Sequence, residues 1–135
     1  MRVGGILDED DVDVRDSITD LLWTGGDLTN ITLPSGLQEL RFGIDFNHNL
    51  DNAILPSGLK TLEFSLHFDR RLEKAILPSG LQSLTFGRDF NRSLDNVALP
   101  SALKNLTLCS GFKHVLSNST LPSDLQVHRK QGSYN

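Results

Sequence analysis

Four histidines, one cysteine and a run of acids are the side chains in this sequence with the types to do chemistry. Catalysis or metal binding would need them in a constellation that the rest of the chain does not repeat. The histidines, His48, His67, His114 and His128, share neither helical nor metal-ligand spacing. His48 and His114 fall at equivalent places three repeat units apart, which sets them about 14 Å from each other, too far to share an ion. All four read as solvated surface residues. Cys109 has no evident His or Asp partner and reads as a free thiol rather than a nucleophile. As the sole cysteine it also excludes an internal disulfide and a multi-cysteine zinc site within one chain. The run Asp8-Glu9-Asp10-Asp11-Val12-Asp13 could attract calcium, but it lacks the glycine and the closing glutamate of a calcium loop and reads as solvated. Glycines recur along the chain rather than clustering into a phosphate loop. The residues therefore point to no enzyme, no metal and no cofactor.

What could position such residues is bounded by length and charge. A chain of 135 residues allows one domain. No apolar run approaches the roughly 20 residues of a membrane-spanning helix. Met1 to Asp10 holds no apolar signal-peptide core, so the expected location is intracellular, in the cytoplasm. The four Asn-x-Ser/Thr triplets at Asn30, Asn91, Asn105 and Asn118 then carry little weight. The net charge of −4 is unevenly placed: residues 1–20 carry −5 and residues 21–135 carry +1. A nearly neutral body, with only the small basic pairs Arg70-Arg71 and Arg129-Lys130, lacks the electrostatic footprint of a nucleic-acid binder.

Leucine makes up 24 of the 135 residues, and all five prolines, Pro34, Pro56, Pro78, Pro100 and Pro122, stand 22 residues apart. Each is preceded by leucine and followed by serine. A fixed period of this size marks a repeat array. Its full units are 34–55, 56–77, 78–99 and 100–121, with a fifth beginning at Pro122. Leu37, Leu59, Leu81 and Leu103 form one apolar column, and Leu40, Leu62, Leu84 and Leu106 form the next. Phe42, Phe64, Phe86 and Leu108 make a third, and Phe46, Phe68, Phe90 and Phe112 a fourth. Leu-x-Phe alternates with strand periodicity, and Leu-Pro-Ser-Gly suits a type I turn with proline second and glycine fourth. Each unit thus predicts a corner, a short strand, a turn near Gly43 or Gly87 and an extended return. Stacked units place their strands side by side in a parallel sheet and bury together the columns that one unit could not bury alone.

The pattern Leu-x-x-Leu-x-Phe after Leu-Pro resembles a leucine-rich repeat. The segment LPSGLQSLTFGRDFNRSL (77–94), with its Phe90-Asn91 pair and the equivalent Phe46-Asn47, resembles the FNIP repeat in particular. Unit two has Phe68-Asp69 and unit four Phe112-Lys113, and no unit has the Ile-Pro of that name. The resemblance implies a curved solenoid that displays a surface to a partner protein, and it carries no catalytic residue to transfer. The expected fold class is an α/β-type leucine-rich-repeat solenoid, predominantly β with an extended convex side, of four 22-residue repeats plus degenerate terminal coils. Its expected parts are an acidic tail or cap over 1–17, the solenoid over 18–125 and a frayed C-terminus over 126–135, where His128, Lys130 and Gln131 break the columns. Ile18-x-x-Leu21-x-Trp23 mimics the strand motif as a first coil. Trp23 to Leu33 spans ten residues against thirteen from Phe42 to Leu55, so that coil is three short.

In leucine-rich repeats the ligand usually meets the concave sheet. The outward columns here are Gln38, Lys60, Gln82 and Lys104; Glu39, Thr61, Ser83 and Asn105; and Arg41, Glu63, Thr85 and Thr107. These twelve are the candidate protein-binding residues. They are small, polar and mixed in sign, as an ordinary solvated sheet surface would also be. Arg41 beside Glu63 suggests a lateral ion pair worth a few tenths of a kcal/mol. Asn47 and Asn91 could touch a ligand at the sheet edge, but their tie to the repeat favours satisfaction of loop backbone groups, and Asn52, Asn96 and Asn118 read the same way. The function expected is a non-catalytic interaction module with an unknown protein partner. The alternative is a structural spacer, or a fragment of a larger repeat protein that carries a separate catalytic domain.

Overall fold

A computed structural model describes residues 17–116 and 121–130. The acidic stretch, Asn118 and the last five residues of the expected fray lie outside that range. The elements are six strands: β1 (Asp20–Trp23), β2 (Glu39–Phe42), β3 (Thr61–Glu63), β4 (Ser83–Thr85), β5 (Asn105–Cys109) and β6 (Gln126–Lys130). They form one parallel sheet in sequence order. The result is a β-solenoid of about five turns, like that of leucine-rich repeats, and the described elements are strands alone.

Three kinds of tight turn recur along the coils. At the first, the Leu37 amide donates to the Pro34 carbonyl at 3.2 Å, and Leu59, Leu81, Leu103 and Leu125 make the same bond to Pro56, Pro78, Pro100 and Pro122. Proline therefore opens this turn rather than standing second, and glycine falls third. Nothing crowds a Cβ at Gly58 or Gly80, which accounts for Ala102 and Asp124 at the equivalent places. The second turn follows the strand, with Phe46 donating to Gly43 at 3.1 Å and Phe112 to Cys109 at 3.0 Å. Here space does matter: a Cβ on Gly87 would run into the carbonyl of Ser65 in the coil before. The third turn interrupts the extended back, with Ala53, Ala75 and Val97 donating to Leu50, Leu72 and Leu94.

Inside, the columns stack. Leu37, Leu40, Leu59, Leu62, Leu81, Leu84, Leu103 and Leu106 have no exposed surface, and no polar or charged residue is buried among the described residues. The phenylalanines form two parallel files. Phe42, Phe64 and Phe86 stand 5.0 and 5.4 Å apart, whereas Phe46, Phe68, Phe90 and Phe112 stand 6.1, 6.0 and 5.9 Å apart. Spacing that widens away from the strands means the coils fan, so the sheet lies on the shorter, inner arc. Such stacked pairs contribute about 0.5–1.5 kcal/mol each beyond the area they bury.

The register shows where repetition stops. From β2 to β5 the partners are 22 residues apart, as in Leu40↔Leu62↔Leu84↔Leu106. β1 pairs at an offset of 19, Leu21↔Leu40, so the first coil is indeed three residues short. The deletion removes most of the second turn. Leu28 still makes the third, accepting from Ile31 at 3.0 Å, and the fully buried Trp23 stands where later coils have two phenylalanines. Its indole donates to the Gly26 carbonyl at 2.8 Å, and Gly25 leaves no room for a side chain against the ring.

Residues 126–130 correct the expectation of a frayed end: they form β6. The offset there is 21, Leu106↔Val127, so the strand has slipped by one. A one-residue slip exchanges the two faces of a strand. It sets Val127 rather than His128 against the leucine column and brings Arg129 beneath the last phenylalanine. The Arg129 guanidinium lies 5.9 Å from the Phe112 ring centroid and donates to the Phe112 carbonyl at 3.4 Å.

Candidate interaction surface

The sheet gathers the candidate residues on one accessible face. Strand alternation buries Leu40, Leu62, Leu84 and Leu106 and turns the residues on either side of each outward. Hydrogen-bonded register sets Glu39, Thr61, Ser83 and Asn105 in one row and Arg41, Glu63, Thr85 and Thr107 in another. Gln38, Lys60, Gln82 and Lys104 border these rows at the strand entrances. Each of their carbonyls accepts an amide from the next coil at 2.8 Å, including that of Gln126 on Lys104. All twelve side chains are exposed or half-buried.

Arg41 does not pair with Glu63. Its Nη2 reaches back to Asp20 on β1 at 3.3 Å. Both carboxylates are within reach of a long side chain, one opposite and one diagonal, and the diagonal one holds it. The Arg41 Nε is buried without a hydrogen-bond partner.

Phenylalanine-asparagine pairs have a structural role on the flank. Asn47 Oδ1 accepts the Asp69 amide at 2.9 Å, Asp69 Oδ1 accepts the Asn91 amide at 3.1 Å, and Asn91 Oδ1 accepts the Lys113 amide at 3.0 Å. A side-chain oxygen is all the position requires, so aspartate serves in unit two. Lysine has no acceptor, and the ladder ends at Lys113. Asn52 and Asn96 take no part in it; they are exposed turn residues. Beside the ladder runs a basic column that sequence reading did not single out: His48, Arg70, Arg92 and His114. Arg70 Nε donates to the Asn47 carbonyl at 3.0 Å, Arg92 Nε to Asp69 Oδ1 at 3.1 Å, and His114 Nε2 meets the Asn91 carbonyl at 2.9 Å. Its signal was present as four cationic or titratable residues at one repeat position.

The other titratable groups are dispersed. His67 Nδ1 contacts Asp89 at 2.9 Å, and this hydrogen bond, with Arg88 adjoining, holds the Asp89 carboxyl below the usual carboxylate range. His128 lies 3.1 Å from Asn105 Oδ1, and Cys109 is free and buried. Among the described residues no three His, Cys, Asp or Glu side chains converge on a point that could hold a metal. No helix among them is long and apolar enough to cross a membrane.

Comparison with known proteins agrees with this geometry. The FNIP Repeat family model matches residues 27–67 and 68–111, more than half of the chain. The crystal structure of CroV588, a novel circular LRR protein, is similar with a TM-score of 0.71 and 28% identity over 89% of this chain. The chain spans 18% of that protein's length. No curated protein matches it. The chain belongs to the FNIP-repeat family.

Proposed function

We propose that this FNIP-repeat solenoid is a non-catalytic protein-interaction module whose binding surface is the inner face of its sheet. One observation carries the reading. The inward Leu40, Leu62, Leu84 and Leu106 are the same residue in every full coil, while the outward position beside them holds three residue types in strict register, Arg41, Glu63, Thr85 and Thr107. Stacking requires sameness only inside, so variety outside is free to serve recognition. Arg41, half-buried and paired with Asp20, and the exposed Glu63 are the charged centre of that face. We place the action inside the cell, in keeping with the free Cys109.

Affinity capture with the intact chain is the test. A specific protein should be retained, and Glu63→Lys, which alters an exposed side chain without a structural bond, should release it. If nothing specific is retained, or retention is indifferent to Glu63→Lys and to Arg41→Glu, the reading fails. A second reading, a structural segment of a longer repeat array, draws support from the 18% of CroV588 that this chain spans. That role would leave charge reversal on the face without effect.

A further inference from the structure

On the back of units one to three a cleft of about 430 Å³ is lined by four cations, Arg70, Arg71, Lys74 and Arg92, against two acids, Asp51 and Glu73. The cluster is not neutralised from within. Of these six, only Arg92 has an ion pair, and its partner is Asp69 of the ladder. Asp51 and Glu73 stand beyond salt-bridge distance of every cation in the cleft.

Two of the guanidinium groups are fixed. Arg70 and Arg92 occupy the same repeat position one coil apart, where the adjacent Phe68 and Phe90 rings are 6.0 Å from each other. Each is held by its Nε, Arg70 on Asn47 and Arg92 on Asp69. Their terminal Nη nitrogens donate to no atom among the described residues. A guanidinium whose inner nitrogen is already bonded loses little freedom when its outer fork takes up an oxyanion. Arg71 and Lys74 are exposed, unpaired and beside them.

We propose that this cleft binds a tetrahedral oxyanion of the phosphate class, gripped by the outer nitrogens of Arg70 and Arg92, with Arg71 and Lys74 completing the charge. Planar forks suit phosphate oxygens, and charge-assisted bonds of this kind are the strong ones. The site lies on the opposite side of the coil from the sheet face and does not depend on that reading.

Calorimetric titration of the intact chain tests it, with inorganic phosphate in one arm and a short phosphoserine peptide in the other, chloride matching ionic strength throughout. Saturable binding of phosphate is expected, about tenfold weaker in Arg70→Gln and in Arg71→Gln. Arg71 makes no bond within the fold, so its variant keeps the test intact if Arg70→Gln disturbs the ladder. Glu73→Gln should tighten binding, a sign that general damage would not produce. Peptide binding at least as tight as that of phosphate identifies a phosphorylated protein segment as the source; binding of phosphate alone identifies a small anion. Phosphate heats no different from chloride, or an affinity unmoved by Arg71→Gln and Glu73→Gln, overturn the proposal.

Discussion

The interior coils and the two terminal ones solve the same packing problem differently. Between β2 and β5 every partner is 22 residues away and leucine lies on leucine in the core. At the ends the offset falls to 19 and to 21, and the phenylalanine files close on one large side chain with a polar tip, Trp23 at one end and Arg129 at the other. Repetition is thus the product of stacking between neighbours of the same shape. Where a neighbour is missing, the chain departs from the repeat and offers a side chain that is apolar along its length and polar at its end.

The sharpest way to break that contrast is to empty one place in each region. Phe68 is wholly buried and stacks on Phe46, Phe64, Phe86 and Phe90. Phe68→Ala is expected to destabilise by about 3–5 kcal/mol in urea unfolding. Next comes a small residue with a large consequence. Gly87→Ala pushes a methyl into the Ser65 carbonyl and should destabilise by about 1–3 kcal/mol. Gly80→Ala, at an open turn of the same coil, should be neutral or stabilising by up to about 1 kcal/mol. Equal effects at the two glycines would remove the distinction between stacking and open turns.

The ladder gives a finer test. Asn91→Leu strands the Lys113 amide and should cost about 1–2 kcal/mol, with faster hydrogen exchange at that amide, while Asn91→Asp should preserve both, as Asp69 does. At the end of the stack Arg129→Ala is expected to lose only about 0.5–1 kcal/mol. A loss as great as that of Phe68→Ala would mean the terminal coil bears as much of the fold as the interior. Smallest of all is the effect of pH at Asp89. Its carboxyl is lowered from 3.8 in the fold, so its contribution is present above that value and fades as pH falls below it. Melting temperatures of Asp89→Asn should therefore converge on those of the parent chain in acid and separate from them at neutral pH.

Much of this was legible because the repeat leaves little freedom. Prolines at equal spacing, leucine columns and the ten-residue interval after Trp23 fix the period, the strands and the shortened first coil. Asn47 and Asn91 announced a role tied to the repeat, and the ladder supplies it. The last strand was not legible in the same way. A register of 22 would turn His128 inward and a register of 21 turns Val127 inward, and the choice rests on which side chain the leucine column accepts. Period counting extends the pattern and cannot weigh that choice. The partner of Arg41 was hidden for a related reason, because Glu63 is adjacent in register while Asp20 lies diagonally across. Proline's place in its turn depended on which carbonyl accepts, a matter of backbone geometry.

The ladder of side-chain oxygens has a direction. Asn47, Asp69 and Asn91 each belong to one coil, and the amide each of them holds belongs to the coil that follows. A coil completed early already carries the side-chain acceptor its successor needs, although the Phe64 and Phe86 amides in turn donate to Thr85 and Thr107 of the coils that follow. Chains are synthesised from the same end, at about 5–20 residues per second. This array is therefore suited to assembly in step with translation, each turn docking its ladder amide on a side chain that is already in place.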